Sequence, residues 1–222
     1  MQRTLSQPRQ PEEEDGDRAF CYAVTDIEVD GPEPGQNSML SFATVAVDRV
    51  GTVIDKFEGR LLTLEGATAD PDTLRWLQSQ PEVWADATHD PKSPSLVLAT
   101  YGEWLRALPL QPVFVASPLA FDGIWIDWYL RRFTGCRLVC GPFAGERLFL
   151  GSGIDLHSLI MGVTGWSFAR CRLECYPPTW LGGHVHSHRA IDDALGYAHV
   201  LKTVLELRAA SQTAMPAPAI AQ

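Results

Sequence analysis

Three apolar runs stand close together near the start of the chain: FCYAVTDIEVD (20–30), SMLSFATVAVD (38–48) and TVIDKFEGRLL (52–62). GPEPGQN, a turn rich in Gly, Pro and Asn, separates the first two, and RVG connects the last two tightly. This succession predicts an antiparallel meander. Downstream the pattern alternates. In DPDTLRWLQSQ (70–80), Asp70 can cap a helix and Pro71 suits its first turn. SPSLVLATYGEWLRAL (93–108) has helical spacing at Leu96, Leu98, Tyr101, Leu105 and Leu108. QPVFVAS (111–117) reads as a short strand, and FDGIWIDWYLRRF (121–133) as a helix, apolar at Ile124, Trp125, Trp128 and Phe133. ERLFL and GSGID (146–155) suggest a further short strand before a helix at LHSLIMGV (156–163). Residues 164–187 are irregular. A last helix is expected from about Ser187 to Arg208, with Ile191, Ala194, Leu195, Ala198, Leu201, Val204 and Leu205 on one stripe. A meander followed by alternating helices and strands predicts an α/β domain with a mixed, five-stranded sheet flanked by helices.

At 222 residues, 45% hydrophobic and 20% charged, the chain can bury a full core. No apolar run approaches the ~18 residues that span a bilayer, so no membrane partner is expected. The first eighteen residues have no apolar signal-like region and include EEEDGD (12–17); they read as a disordered acidic arm, and the cytoplasm as the compartment. Residues 19–209 form the expected domain, and residues 210–222 a second loose segment. Five cysteines include two C-x3-C pairs, Cys136/Cys140 and Cys171/Cys175. CRLVC reads as a strand, whose positions i and i+4 lie about 13 Å apart, too far to share one zinc ion. Reduced, mostly buried thiols are expected instead.

Chemistry concentrates in carboxylates. Asp26 and Glu28 share one face of the first strand, about 7 Å apart along its axis, and burial of two like charges is costly unless something positive faces them. Asp122 follows a strand in VFVASPLAFDGIW, where an Asp is also a common helix cap. His188, Asp192 and Asp193 stand at the start of the last helix, where acids also suit the helix dipole. Periodicity does not choose between Asp192 and Asp193, since both fall off the apolar stripe. Converging carboxylates bind hard divalent cations such as Mg²⁺ or Mn²⁺. Two such ions support phosphodiester cleavage, and a neutral histidine can accept the proton of the attacking water.

TDIEVDG, then AFD, then His188-x-Ala190-x-x-Asp193-Ala194 resemble the three motifs of the DEDDh 3′–5′ exonucleases, over roughly residues 20–207. DTLRWLQ and IDLHSL are similar to further family segments. The resemblance implies a ribonuclease H-like fold and a 3′–5′ exonuclease working with two divalent cations, Mg²⁺ or Mn²⁺. It implies Asp26, Glu28, Asp122 and Asp193 as metal ligands and His188 as general base, with Asp192 a neighbour. Relatives often carry His-Asn where this chain has Ser117-Pro118, and an acid and an isoleucine where it has Ser41-Phe42. A catalytically silent adaptor, or another two-metal phosphodiesterase or endonuclease, would be the alternatives.

The implied partner is single-stranded nucleic acid, DNA or RNA. Met39 and Leu40 would wedge against the terminal base, as the equivalent region does in relatives, or else belong to the core of strand two. Trp166 and Arg170, with Phe168 and Arg172, form a candidate stacking and phosphate-binding patch. His184 and His186 flank the base on a Gly-Gly loop that could swing His188 inward, and read equally as surface histidines. Four of the acids behind the net charge of −9 would be offset by two divalent ions and others lie in the arm, which leaves the domain close to neutral; weak long-range steering suits a short oligonucleotide, or a tail delivered by a partner, better than a long duplex. The sequence leaves the oligomeric state open, a homodimer included.

Overall fold

A computed structural model describes residues 20–139 and 146–214. The meander forms as expected: β1 (Phe20–Val29), β2 (Met39–Val47) and β3 (Val53–Arg60). Three helices follow, α1 (Pro71–Gln78), α2 (Pro81–Ala87) and α3 (Pro94–Ala107), then β4 (Gln111–Ala116) and α4 (Leu119–Thr134). The chain closes with β5 (Ile154–Asp155), α5 (Leu156–Thr164), three short 3-10 turns between Phe168 and Leu181, and α6 (Ala190–Ala214). The sheet order is β3-β2-β1-β4-β5. β1–β2 and β2–β3 pair antiparallel; β1–β4 and β4–β5 pair parallel. This is the mixed five-stranded α/β sheet expected, with β1 at its centre.

Alternation along β1 sorts its neighbours. Ala23 and Ile27 join Phe42, Phe114 and the buried faces of α3 and α4, including Leu98, Tyr101, Trp125 and Tyr129. Tyr22 and Val24 join Ala43, Val45 and the inner faces of α5 and α6, including Ile160, Ala194, Ala198 and Leu201. Asp26 and Glu28 have the parity of Tyr22 and Val24, so they point towards α6. Asp30 lies beyond the strand, where its carboxylate accepts the Ser38 amide at 2.5 Å.

Local signals explain the helix starts. The Asp70 carboxylate accepts the Thr73 amide at 2.8 Å with Pro71 in the first turn of α1, as read from sequence. Asp155 caps α5 through the Ser158 amide, and Ser93 caps α3.

Several expectations shift. Leu96 and Ile124 are each 56% exposed, because α3 buries Val97, Leu98, Tyr101 and Leu105, and α4 buries Trp125, Ile126, Tyr129 and Leu130. CRLVC forms no strand over its described residues, 136–139, beyond an isolated bridge from Arg137 to Arg147. Its first residues follow the left-handed Gly135 that ends α4, and the Asp127 carboxylate holds them by accepting the Leu138 amide and pairing with Arg137; Cys140 lies outside the described residues. Among the described residues, no cysteine belongs to a group of three donors within metal-binding reach. The last strand occupies only the end of GSGID, and ERLFL lies outside it. The sequence reading has no counterpart of α2, and α6 runs past Arg208 into the segment read as loose. The acidic arm falls outside the described residues. No described helix is long and apolar enough to cross a membrane.

Candidate active site

Three elements bring the four predicted acids to one end of the sheet. β1 supplies Asp26 and Glu28, the first turn of α4 supplies Asp122, and the first turn of α6 supplies Asp193. Carboxylate oxygens of Asp26, Glu28 and Asp193 lie within 4.8 Å of one another. Asp122 is not a helix cap; Pro118 holds that position, and Asp122 lies inside the helix, 4% exposed. Its Oδ2 is buried with no hydrogen-bond partner. Ser41, directly opposite Glu28 in the β1–β2 register, likewise has a buried hydroxyl without a partner. Trp125 Nε1 is a third such atom among the described residues, and buried polar atoms in this state call for a partner such as an ion or a water.

The electrostatics agree. Burial holds the Asp26 carboxyl well above the usual carboxylate range, and Asp122, Glu28 and Asp193 add to the effect. Glu28 is pushed up to about 9, by burial first and then by Asp193, Asp122 and Asp86. Asp122 is pushed up to about 8 by burial, against the Ser117 backbone amide and with Asp155 adding. Asp26 and Glu28 are raised further by the carboxylates around them. A bound divalent ion would reverse that logic.

The loop before α6 separates the two adjacent aspartates that periodicity could not. Asp193 Oδ1 accepts the Ser187 amide at 2.9 Å, and Oδ2 accepts the His188 amide at 3.1 Å. Both donors converge because His188 has φ +60°, a left-handed conformation that costs a non-glycine residue roughly 1–2 kcal/mol. Asp192 turns away, accepting the Ser187 hydroxyl at 2.8 Å and pairing with Arg189 at 3.2 Å. Arg189 also reaches Asp86 of α2, which Arg60 of β3 holds at 2.8 Å. The missed helix α2 therefore anchors the loop that carries His188. The His188 ring packs edge-on against Trp76 of α1, centroids 4.9 Å apart, and against His186 at 4.5 Å. Burial and His186 lower its pKa, against Asp193, which favours the neutral imidazole at pH 7.

Known structures share this architecture. The nuclease domain of 3′hExo, a DEDDh family member bound to rAMP, matches with a TM-score of 0.61 at 12% identity, over 85% of this chain and 92% of that one. A 3′-exonuclease studied in 3′-end-specific recognition of a histone mRNA stem-loop matches at 0.61 and 11%, over 86% of this chain and 83% of that one. E. coli Exonuclease I with a dT13 oligonucleotide matches at 0.64 and 15%, over 88% of this chain and 43% of that one.

The chain shares the fold of these exonuclease structures. No protein-family model matches it, and no curated protein matches it in sequence.

On this fold the residues expected from sequence to face a substrate separate. Met39 is fully buried beside Tyr129, whose hydroxyl accepts the Met39 amide at 2.7 Å. Leu40 is 3% exposed and packs on Leu77, Val83 and Ala87. Both are core residues of strand two. Trp166 stacks on Trp180 at 5.2 Å, and the Arg170 guanidinium lies 4.7 Å from the Trp166 centroid. Phe168 is 59% exposed, whereas Arg172 lies 3.8 Å from Glu174. Two residues without an assigned role connect this patch to the acids. His157 of α5 lies 3.0 Å from the Ser117 hydroxyl, and its ring centroid is 6.3 Å from that of Phe168. Ser117 is itself the backbone partner of Asp122. The spacing of IDLHSL alone gives no sign of this bridge; it depends on β4 and β5 lying side by side.

Proposed function

We propose that the protein is a metal-dependent 3′–5′ exonuclease acting on single-stranded nucleic acid. The observation that carries the reading is the buried acidic group on β1 and α6, with the unpartnered Asp122 oxygen beside it. An all-oxygen donor set of this kind fits two hard divalent cations, Mg²⁺ or Mn²⁺, held by Asp26, Glu28, Asp122 and Asp193. When bound, such ions polarise a phosphodiester and ease deprotonation of a nucleophilic water.

The chain's own groups do the rest. His188, with its lowered pKa, is neutral at pH 7 and can accept the proton of the attacking water at an imidazole nitrogen. Trp76 restricts the orientation of that ring. The Ser187 and His188 amides orient the Asp193 carboxylate, coupling the base loop to the ligand set. Phe168 and Arg170 supply an exposed aromatic ring and a cation suited to bases and phosphates upstream of the scissile bond. The neighbours bound to rAMP and to dT13 support a nucleic-acid substrate.

The test is digestion of matched 5′-labelled DNA and RNA oligomers in Mn²⁺. The account expects stepwise shortening from the 3′ end, stopped by EDTA and by Asp26→Ala. Internal nicks, or shortening from the 5′ end, would contradict it.

A further inference from the structure

We propose that His186, His188 and Asp193 form a second cation site, selective for a borderline transition ion such as Zn²⁺, and that its occupation silences the enzyme. Donor atoms of these three residues lie within 4.8 Å of one another. His186 Nδ1 stands 2.9 Å from Asp193 Oδ2, and the two imidazole centroids are 4.5 Å apart at 71°. With bonds of about 2.0–2.2 Å, two donors on one tetrahedral zinc stand about 3.3 Å apart, so the group closes on an ion with small movements. The loop can supply them, since it is entered through Gly182 and Gly183, both at positive φ.

The donor chemistry separates this site from the acidic one. Two imidazoles and one carboxylate suit Zn²⁺, Cu²⁺ or Ni²⁺, whereas carboxylates alone suit Mg²⁺ and Mn²⁺. His186 and His188 are half-buried, which leaves room for a water as fourth ligand. Zinc would take the His188 nitrogen lone pair, so that imidazole could no longer accept a proton from water. It would also share Asp193 with the acidic group. The silencing rests on the proposed role of His188 as base; the site itself rests only on the donor geometry.

The test uses the full chain in excess Mg²⁺, with Co²⁺ as a visible probe and Zn²⁺ as competitor. The wild type should develop a Co²⁺ band with nitrogen-ligand character that Zn²⁺ displaces, and Zn²⁺ should shift the His186 and His188 ring signals in ¹⁵N NMR. His186→Ala should lose the band, and its Mg²⁺-supported rate, taken relative to its own zinc-free value, should resist Zn²⁺. His184→Ala should behave as wild type. Equal Co²⁺ binding and equal zinc inhibition in His186→Ala would overturn the proposal, as would unshifted histidine signals. Asp26→Asn separates the two readings. It should keep the Co²⁺ band while losing Mn²⁺ binding. Retained Mn²⁺ binding would sink the acidic-site reading alone, and a lost Co²⁺ band would sink the histidine site.

Discussion

The two faces of β1 bury polar groups in opposite ways. Towards α3, the Thr25 hydroxyl meets that of Thr44 at 2.8 Å, which meets the Tyr101 hydroxyl at 2.9 Å, and all three residues are fully buried. Every hydroxyl in that chain has a partner, so burial there favours the fold. Towards α6, one and three residues further along the same strand, the acids have no cation among them, and an oxygen of Asp122 has no hydrogen-bond partner. The same central strand thus carries one finished polar network and one that is complete only with something from outside. Under the proposed function, the difference separates a structural face from a catalytic one.

The largest effects should fall on the α6 face and leave the fold intact. Asp26→Ala should lower cation-dependent cleavage by on the order of 10³-fold, as loss of a principal electrostatic group does. Because the substitution removes a buried carboxyl that must hold a proton the unfolded chain releases, the cation-free protein near neutral pH should melt no lower than wild type, by calorimetry. A large loss of melting temperature would place Asp26 in the structural network instead.

His188→Ala should reduce kcat by about 10²–10⁴-fold, the contribution of a general base. Cation binding to the acidic group should persist, measured by Mn²⁺ titration. Unchanged kcat would remove the base assignment and leave the ligand assignment standing.

The opposite face predicts the reverse pattern. Thr44→Val leaves Thr25 and Tyr101 without their shared partner and should destabilise the protein by about 1–3 kcal/mol in urea unfolding. Activity of the folded fraction should be retained.

A smaller, graded effect is expected with pH. Glu28 has a folded pKa of about 9, against 4.5 when free of its surroundings. Between those values the folded state keeps a proton that the unfolded state has released, so the stability of the cation-free protein falls as pH rises. Its contribution is fully present below pH 4.5 and is lost as pH passes 9. Saturating Mn²⁺ should flatten the slope, read as melting temperature against pH. A slope that cations do not alter would break the contrast between the two faces.

Much of this contrast is legible in the sequence, for particular reasons. Strand alternation places Asp26 and Glu28 together whatever the strand packs against, and the short connections require the meander. The pattern is silent where phase or distance decides. Leu96 and Ile124 fit a helical period, yet period alone does not tell which stripe the sheet covers. All of β2 is buried because it is central and covered on both faces, so Met39 and Leu40 look like any apolar pair until their neighbours are known. Asp192 and Asp193 differ only through the amides of Ser187 and His188, which aim at one carboxylate because of a left-handed residue. His157 gains its neighbours from other elements, beyond the reach of local spacing.

The central claim is that the α6 face of β1 is completed by cations. Mn²⁺ titration of the wild type and Asp122→Asn, followed by calorimetry and electron paramagnetic resonance, tests it most directly. The account predicts two Mn²⁺ ions per wild-type chain, with binding weakened or lost in Asp122→Asn. No Mn²⁺ uptake by the wild type, or identical uptake by both, would contradict it.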